Sequence, residues 1–113
     1  MTITNEKLLK HPFLDEMYQD GYFPNFLVDK GKAILMRMCE KIEATKPASL
    51  KDLYAITHAA TEEFNALQAE FWDNDSEIET AARDCIGVTF FTIAEAYGYK
   101  DADMEELIAP RDW

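Results

Sequence analysis

Apolar residues recur along this chain at alternating four- and three-residue intervals, the spacing that lines one face of an α-helix. Between Phe26 and Thr45 they fall at Leu27, Gly31, Ile34, Met38 and Ile42, and Pro47 closes the segment. A second stripe, the most regular of the three, runs through Leu53, Thr57, Ala60, Phe64, Leu67 and Phe71. Ser49, with Asp52 three residues on, opens it as a capping box in which Asp stands for Glu. A third stripe runs through Ile78, Ala82, Cys85, Thr89, Ile93 and Ala96, with Ser76 and Glu79 at capping-box spacing before it and Gly98 after it. The pattern predicts an all-α, up-down-up bundle of three long helices over 26–45, 50–73 and 76–97. Shorter helices are expected over 5–9 (capped by Thr4), 13–20 and 103–108. The connections at 46–49 and 73–76 are short enough only for sequential antiparallel neighbours.

The third long helix also carries Ile86, Val88, Phe90, Phe91 and Tyr97, so it is apolar most of the way round. Such a helix has to be covered on more than one side. The short N-terminal helices and the tail from Asp103 to Trp113 are the expected covers. Trp113 is expected to dock, because its area contributes more than the ordering of a short tail costs. Trp72, Phe23, Tyr22 and Tyr18 are candidates for the surface that receives it. No internal repeat or shift in composition divides the 113 residues, so one helical domain over 1–113 is expected.

The charge changes this picture more than the apolar content does. Asp and Glu number 22 against 11 Lys and Arg, a net charge of −11. Residues 1–56 hold eight acids and eight bases, whereas residues 57–113 hold fourteen acids and three bases. The whole imbalance belongs to the second half, and it argues against nucleic acid or anionic membrane as a partner, since both are polyanions. No stretch is long and apolar enough to span a membrane, and Met1 to Lys10 lacks the apolar run of a signal peptide. Only Cys39 and Cys85 occur, each within helical pattern, so a reducing, cytoplasmic setting is expected rather than a disulfide framework.

Candidate chemistry is sparse. His58 lies about 140° from the apolar stripe of its helix at 100° per residue, with Glu62 one turn on. A His with a carboxylate at i+4 can begin a metal site, but no Glu-x-x-His pair occurs, and an exposed ion pair is the plainer reading. Cys39 and His58 on neighbouring helices suggest a nucleophile and base, without the Gly-rich oxyanion loop such an enzyme needs. The run Asp73-Asn-Asp75-Ser-Glu77 matches the opening of a calcium loop and then fails where the sharp turn requires Gly, which is Ile78. No metal or other cofactor is expected. Asp75, Glu77 and Glu79 suit a helix N-terminus, but Glu70 and Asp73 lie at a helix C-terminus, where a carboxylate is unfavourable by about 0.3–1 kcal/mol.

Four segments, VDKGKA at 28–33, THAATEEFN at 57–65, SEIETAARD at 76–84 and ELIAPRDW at 106–113, carry a family resemblance. The chain from about Met17 to Trp113 resembles an uncharacterised family of small, acidic, all-helical bacterial proteins. The resemblance implies a bacterial cytoplasmic protein and brings no activity, substrate or catalytic residue with it.

Two functional readings follow. In the first, a non-enzymatic binding module uses Glu62, Glu63, Glu70, Asp73, Asp75 and Glu77 to engage a basic protein partner, electrostatic steering raising the association rate and rejecting wrong partners. Neutralisation of a toxin that attacks nucleic acid is a specific form of that reading. In the second, a small-ligand protein or enzyme has an inter-helix pocket drawn from His58, Tyr54, Cys39, Arg83 and Trp113. The sequence leaves oligomeric state open, and self-association through the surplus apolar face of the third helix is a plainer alternative to both.

Overall fold

A computed structural model describes residues 3–113, and all regular structure in it is helical: α1 Glu6–Leu9, α2 Asp15–Gln19, α3 Asn25–Thr45, α4 Leu50–Asp73, α5 Thr80–Ala96 and α6 Met104–Leu107. Three long antiparallel helices form the body, and the short ones surround it, within extents of 41 × 27 × 21 Å. Pro24 precedes α3, and Lys46 ends it in the left-handed conformation (φ 48°), returning its amide to the Ile42 carbonyl. Ser49 opens α4 as expected, its hydroxyl accepting from the Asp52 amide. At α1 the cap is Asn5 and not Thr4, the Asn5 side chain accepting from the Lys7 and Leu8 amides.

The third long helix begins four residues later than its sequence pattern suggests. The Ser76 hydroxyl donates to the Tyr22 carbonyl instead of capping, and Asp75 adopts φ 58°, which breaks the helical path between α4 and α5. The chain from Asn74 to Ile78 is fastened at each residue except Glu77. Asn74 and Ser76 donate their amides to the Phe71 carbonyl, Asp75 to that of Trp72, and Ile78 to the buried side-chain oxygen of Gln68. Long-range bonds have displaced the local cap.

The most extensive packing between helices is that of α3 on α4. Gly31 makes it possible: a Cβ there would lie 3.2 Å from the Phe64 ring and 3.2 Å from Leu14. Leu14 itself sits at φ 58°, a conformation costing a leucine on the order of 1 kcal/mol, and is held there by its complete burial beside Gly31. Phe64 then meets Phe90 of α5 (ring centroids 6.0 Å apart) and Trp113 (6.2 Å, edge to face). Trp113 is docked, as expected, but on Phe64; Trp72 and Tyr22 remain exposed and do not receive it. The tail lies against α5 as well, where Gly87 lets Ile108 and Met104 approach closely.

A carboxylate fastens the other end of the chain. Glu43 accepts hydrogen bonds from the Thr4 amide and hydroxyl, the Asn5 amide and the Tyr97 hydroxyl, so α3 holds both the N-terminal segment and the end of α5. Partial burial pushes the Glu43 carboxyl up, but the hydrogen bonds from Tyr97, Thr4 and Asn5 outweigh it and leave the group below its ordinary value. Burial and the bond to Glu43 both raise the Tyr97 phenol.

These contacts make two predictions. A carboxyl depressed in the fold stabilises above its unfolded value near 4.5 and loses that contribution as pH falls through its folded value. A phenol raised in the fold stabilises below its unfolded value of 10.0 and loses its contribution as pH rises beyond it. Chemical denaturation across pH should therefore show stability falling at both ends, with Glu43→Gln flattening both limbs and costing about 1–2 kcal/mol at neutral pH. Second, Phe64→Ala should cost about 3–5 kcal/mol and loosen Trp113. In a Trp72→Phe background, where Trp113 is the sole indole, its emission should be that of a buried indole and should move to longer wavelength when Phe64 is removed.

Candidate functional site

The six candidate partner-binding carboxylates fall into separate groups. Antiparallel packing of α3 on α4 sets Lys30 against Glu70 and Arg37 against Glu63, the latter pair at 2.6 Å. Both pairs are about half exposed and are worth roughly 0.2–1 kcal/mol each; their larger effect is to neutralise the α3–α4 seam. Glu62 lies on the other side of α4, with Asn65 donating a long hydrogen bond to it. Asp73, Asp75 and Glu77 are exposed, and among the described residues no base forms an ion pair with any of them. They project from the fastened turn between α4 and α5, so they are presented from a rigid base.

His58 has a different task from the one its sequence position suggests. Its Nε2 lies 2.6 Å from the Glu106 carbonyl oxygen, its ring stacks on Tyr54 (6.0 Å between centroids, 11° between planes), and it forms no ion pair with Glu62. It belongs to a row of α4 side chains, one per turn, that grip the main chain of the tail. The Tyr54 hydroxyl accepts from the Asp103 amide at 3.1 Å. The Thr61 hydroxyl lies between the Thr57 and Leu107 carbonyls, and Asn65 both donates to the Pro110 carbonyl and accepts from the Asp112 amide, each at 3.0 Å. Leu107, Ile108 and Trp113 are buried beneath this row. Segments 57–65 and 106–113, quoted separately from the sequence, are therefore two sides of one contact.

The proposed pocket set does not converge. Tyr54 and His58 share an open depression of about 470 Å³ with Lys51, Ala55 and Glu106. Cys39 is fully buried in α3 beside Tyr97 and does not line the depression at His58; burial, reinforced by the Glu43 charge, pushes its thiol up to about 12, so it stays protonated. Arg83 sits in the first turns of α5 with its Nε buried and unpaired, and the Trp113 indole nitrogen is likewise buried without a partner among the described residues. Among those residues no group of three or more His, Cys, Asp or Glu is placed to hold a metal ion. Among the described residues no helix is long and apolar enough to cross a membrane.

The feature that sequence reasoning missed is aromatic. Trp72 is 58% exposed, Phe26 52% and Tyr22 43%, all at the end of the molecule that carries the α4–α5 turn. Helical periodicity gave one hint: Phe26 lies one residue before an inward position and Trp72 one residue after one, Leu27 and Phe71 being the buried neighbours.

No curated protein and no solved structure matches the chain. One family model does, over residues 7–113, and its description is a family of unknown function. That match takes in α3, α4, α5 and the docked tail, so the chain belongs to the family DUF5713.

Proposed function

We propose that this protein is a single-domain binding module that works in the cytoplasm and recognises a basic polypeptide through the carboxylates at its α4–α5 turn. The observation that carries the reading is how the bases of the first half are used. Lys30 and Arg37 neutralise Glu70 and Glu63 along the α3–α4 seam, while Asp73, Asp75 and Glu77 are left with their charge uncompensated. Negative charge left unpaired at this turn attracts a cationic partner to it and repels polyanions. The hydrogen-bonded turn adds to this, because a backbone already held in place loses little freedom on binding. Neutralising a toxin is one form of the function, since an enzyme that cleaves nucleic acid presents a basic cleft to its substrate.

The supporting geometry narrows the interaction set from six carboxylates to Asp73, Asp75 and Glu77. A partner captured from the native cell at about 50 mM salt should be released on raising salt to about 300 mM, as screening shortens the reach of exposed charges. The double variant Asp73→Lys/Glu77→Lys, checked for unchanged helicity by circular dichroism, should fail to retain it, whereas Glu63→Gln should retain it as well as the unmodified protein. A complex that survives high salt and the double reversal overturns the proposal.

A further inference from the structure

The large apolar side chains left in solvent at the acidic end have no structural task that explains them. Tyr22 stands edge-on to Phe23 (5.1 Å), which stands edge-on to Phe71 (6.3 Å), the residue before Trp72. The Tyr22 main chain is tied to the turn by the Ser76 hydroxyl. Partial burial, then the charges of Glu77 and Glu79, raise the Tyr22 phenol. The register that pairs Arg37 with Glu63 and Lys30 with Glu70 continues for one more turn and brings Phe26 level with Asp73 and Asn74. Three aromatic faces thus share one end of the bundle with three unpaired carboxylates.

We infer that Trp72, Tyr22 and Phe26 form a docking surface for an arginine-bearing, partly apolar segment of a basic protein. This rests on the binding reading above and specifies its partner. The choice of occupant follows from charge complementarity. A second copy of the chain would bring its own Asp73, Asp75 and Glu77 against the first set, so like charges oppose pairing of these ends. A purely apolar segment would leave the carboxylates desolvated without a counter-charge. A guanidinium satisfies both requirements, because its flat, weakly hydrated face stacks on an aromatic ring while its N–H groups donate to carboxylates in bidentate geometry. A lysine ammonium meets the charge requirement but lacks the planar face, so the surface discriminates between the two cations. Main-chain hydrogen bonds between Phe71 and Ile78 fix the backbone from which the indole and the carboxylates project, which lowers the ordering that binding requires.

The test is calorimetric titration of the full chain with two synthetic peptides of equal length and charge, alike in their leucines and differing only in arginine against lysine. The arginine peptide should bind about three- to tenfold more tightly, the range expected of one partly exposed cation–π contact. Trp72→Ala should abolish that preference, and Asp73→Asn/Asp75→Asn/Glu77→Gln should weaken both peptides at least tenfold; asparagine is chosen at 75 because it tolerates the positive φ there. All the altered side chains are exposed, and unchanged helicity confirms folding. Equal binding of the two peptides, or a preference that survives Trp72→Ala, overturns the aromatic surface while the salt and charge-reversal results for the native partner decide the broader reading separately. Binding of neither peptide overturns the surface too. So does concentration-dependent dimerisation by light scattering that Trp72→Ala removes, since the occupant is then a second copy.

Discussion

The ring of Phe64 is where the separate parts of this molecule are made to agree. It fills the gap left by Gly31 on α3, meets Phe90 on α5 and supports Trp113 of the tail. A bundle of three helices packed through one aromatic side chain has little room for sliding, because a shift of α3 along α4 would bring a side chain to the place that Gly31 leaves open. The strained backbone of Leu14 is a product of the same constraint: its side chain closes the remaining side of that gap, and burial there outweighs an unfavourable φ.

Fixed helix register has an electrostatic outcome as well as a steric one. With α3 and α4 locked antiparallel, Lys30 and Arg37 meet Glu70 and Glu63 along a seam, and Asp73, Asp75 and Glu77 beyond the last pair have no such partner. The same locking carries Phe26 to the end where Trp72 and Tyr22 emerge. Charge and exposed aromatic surface coincide there because one packing contact sets both.

Much of the fold was legible in the sequence, because the α3 and α4 stripes obey a period that only a helix satisfies and because Pro24, Pro47 and Ser49 punctuate them. The start of α5 was misread for a definite reason. Ser76 and Glu79 have capping-box spacing, but the Ser76 hydroxyl finds the Tyr22 carbonyl 54 residues away, and sequence spacing carries no information about such a bond. His58 was read as half of an i,i+4 ion pair for the same reason, its partner being a carbonyl 48 residues on. One signal was there to be used: Tyr54, His58, Thr61 and Asn65 repeat at four, three and four residues, a polar stripe with the period of the apolar one. The lateral pairing of Glu63 and Glu70 was out of reach, since it depends on register between helices and not on order along the chain.

The row on α4 grips main-chain atoms of the tail, and the side chains it buries are few: Leu107, Ile108 and Trp113. The outward residues Glu106 and Asp112 contribute to this grip through main-chain atoms, and Glu105 pairs with Arg111 within the tail. The tail is therefore a strap whose outward side chains can be rewritten without unbuckling it, which makes it the natural place to attach a fluorophore or an affinity handle outside the α4–α5 turn.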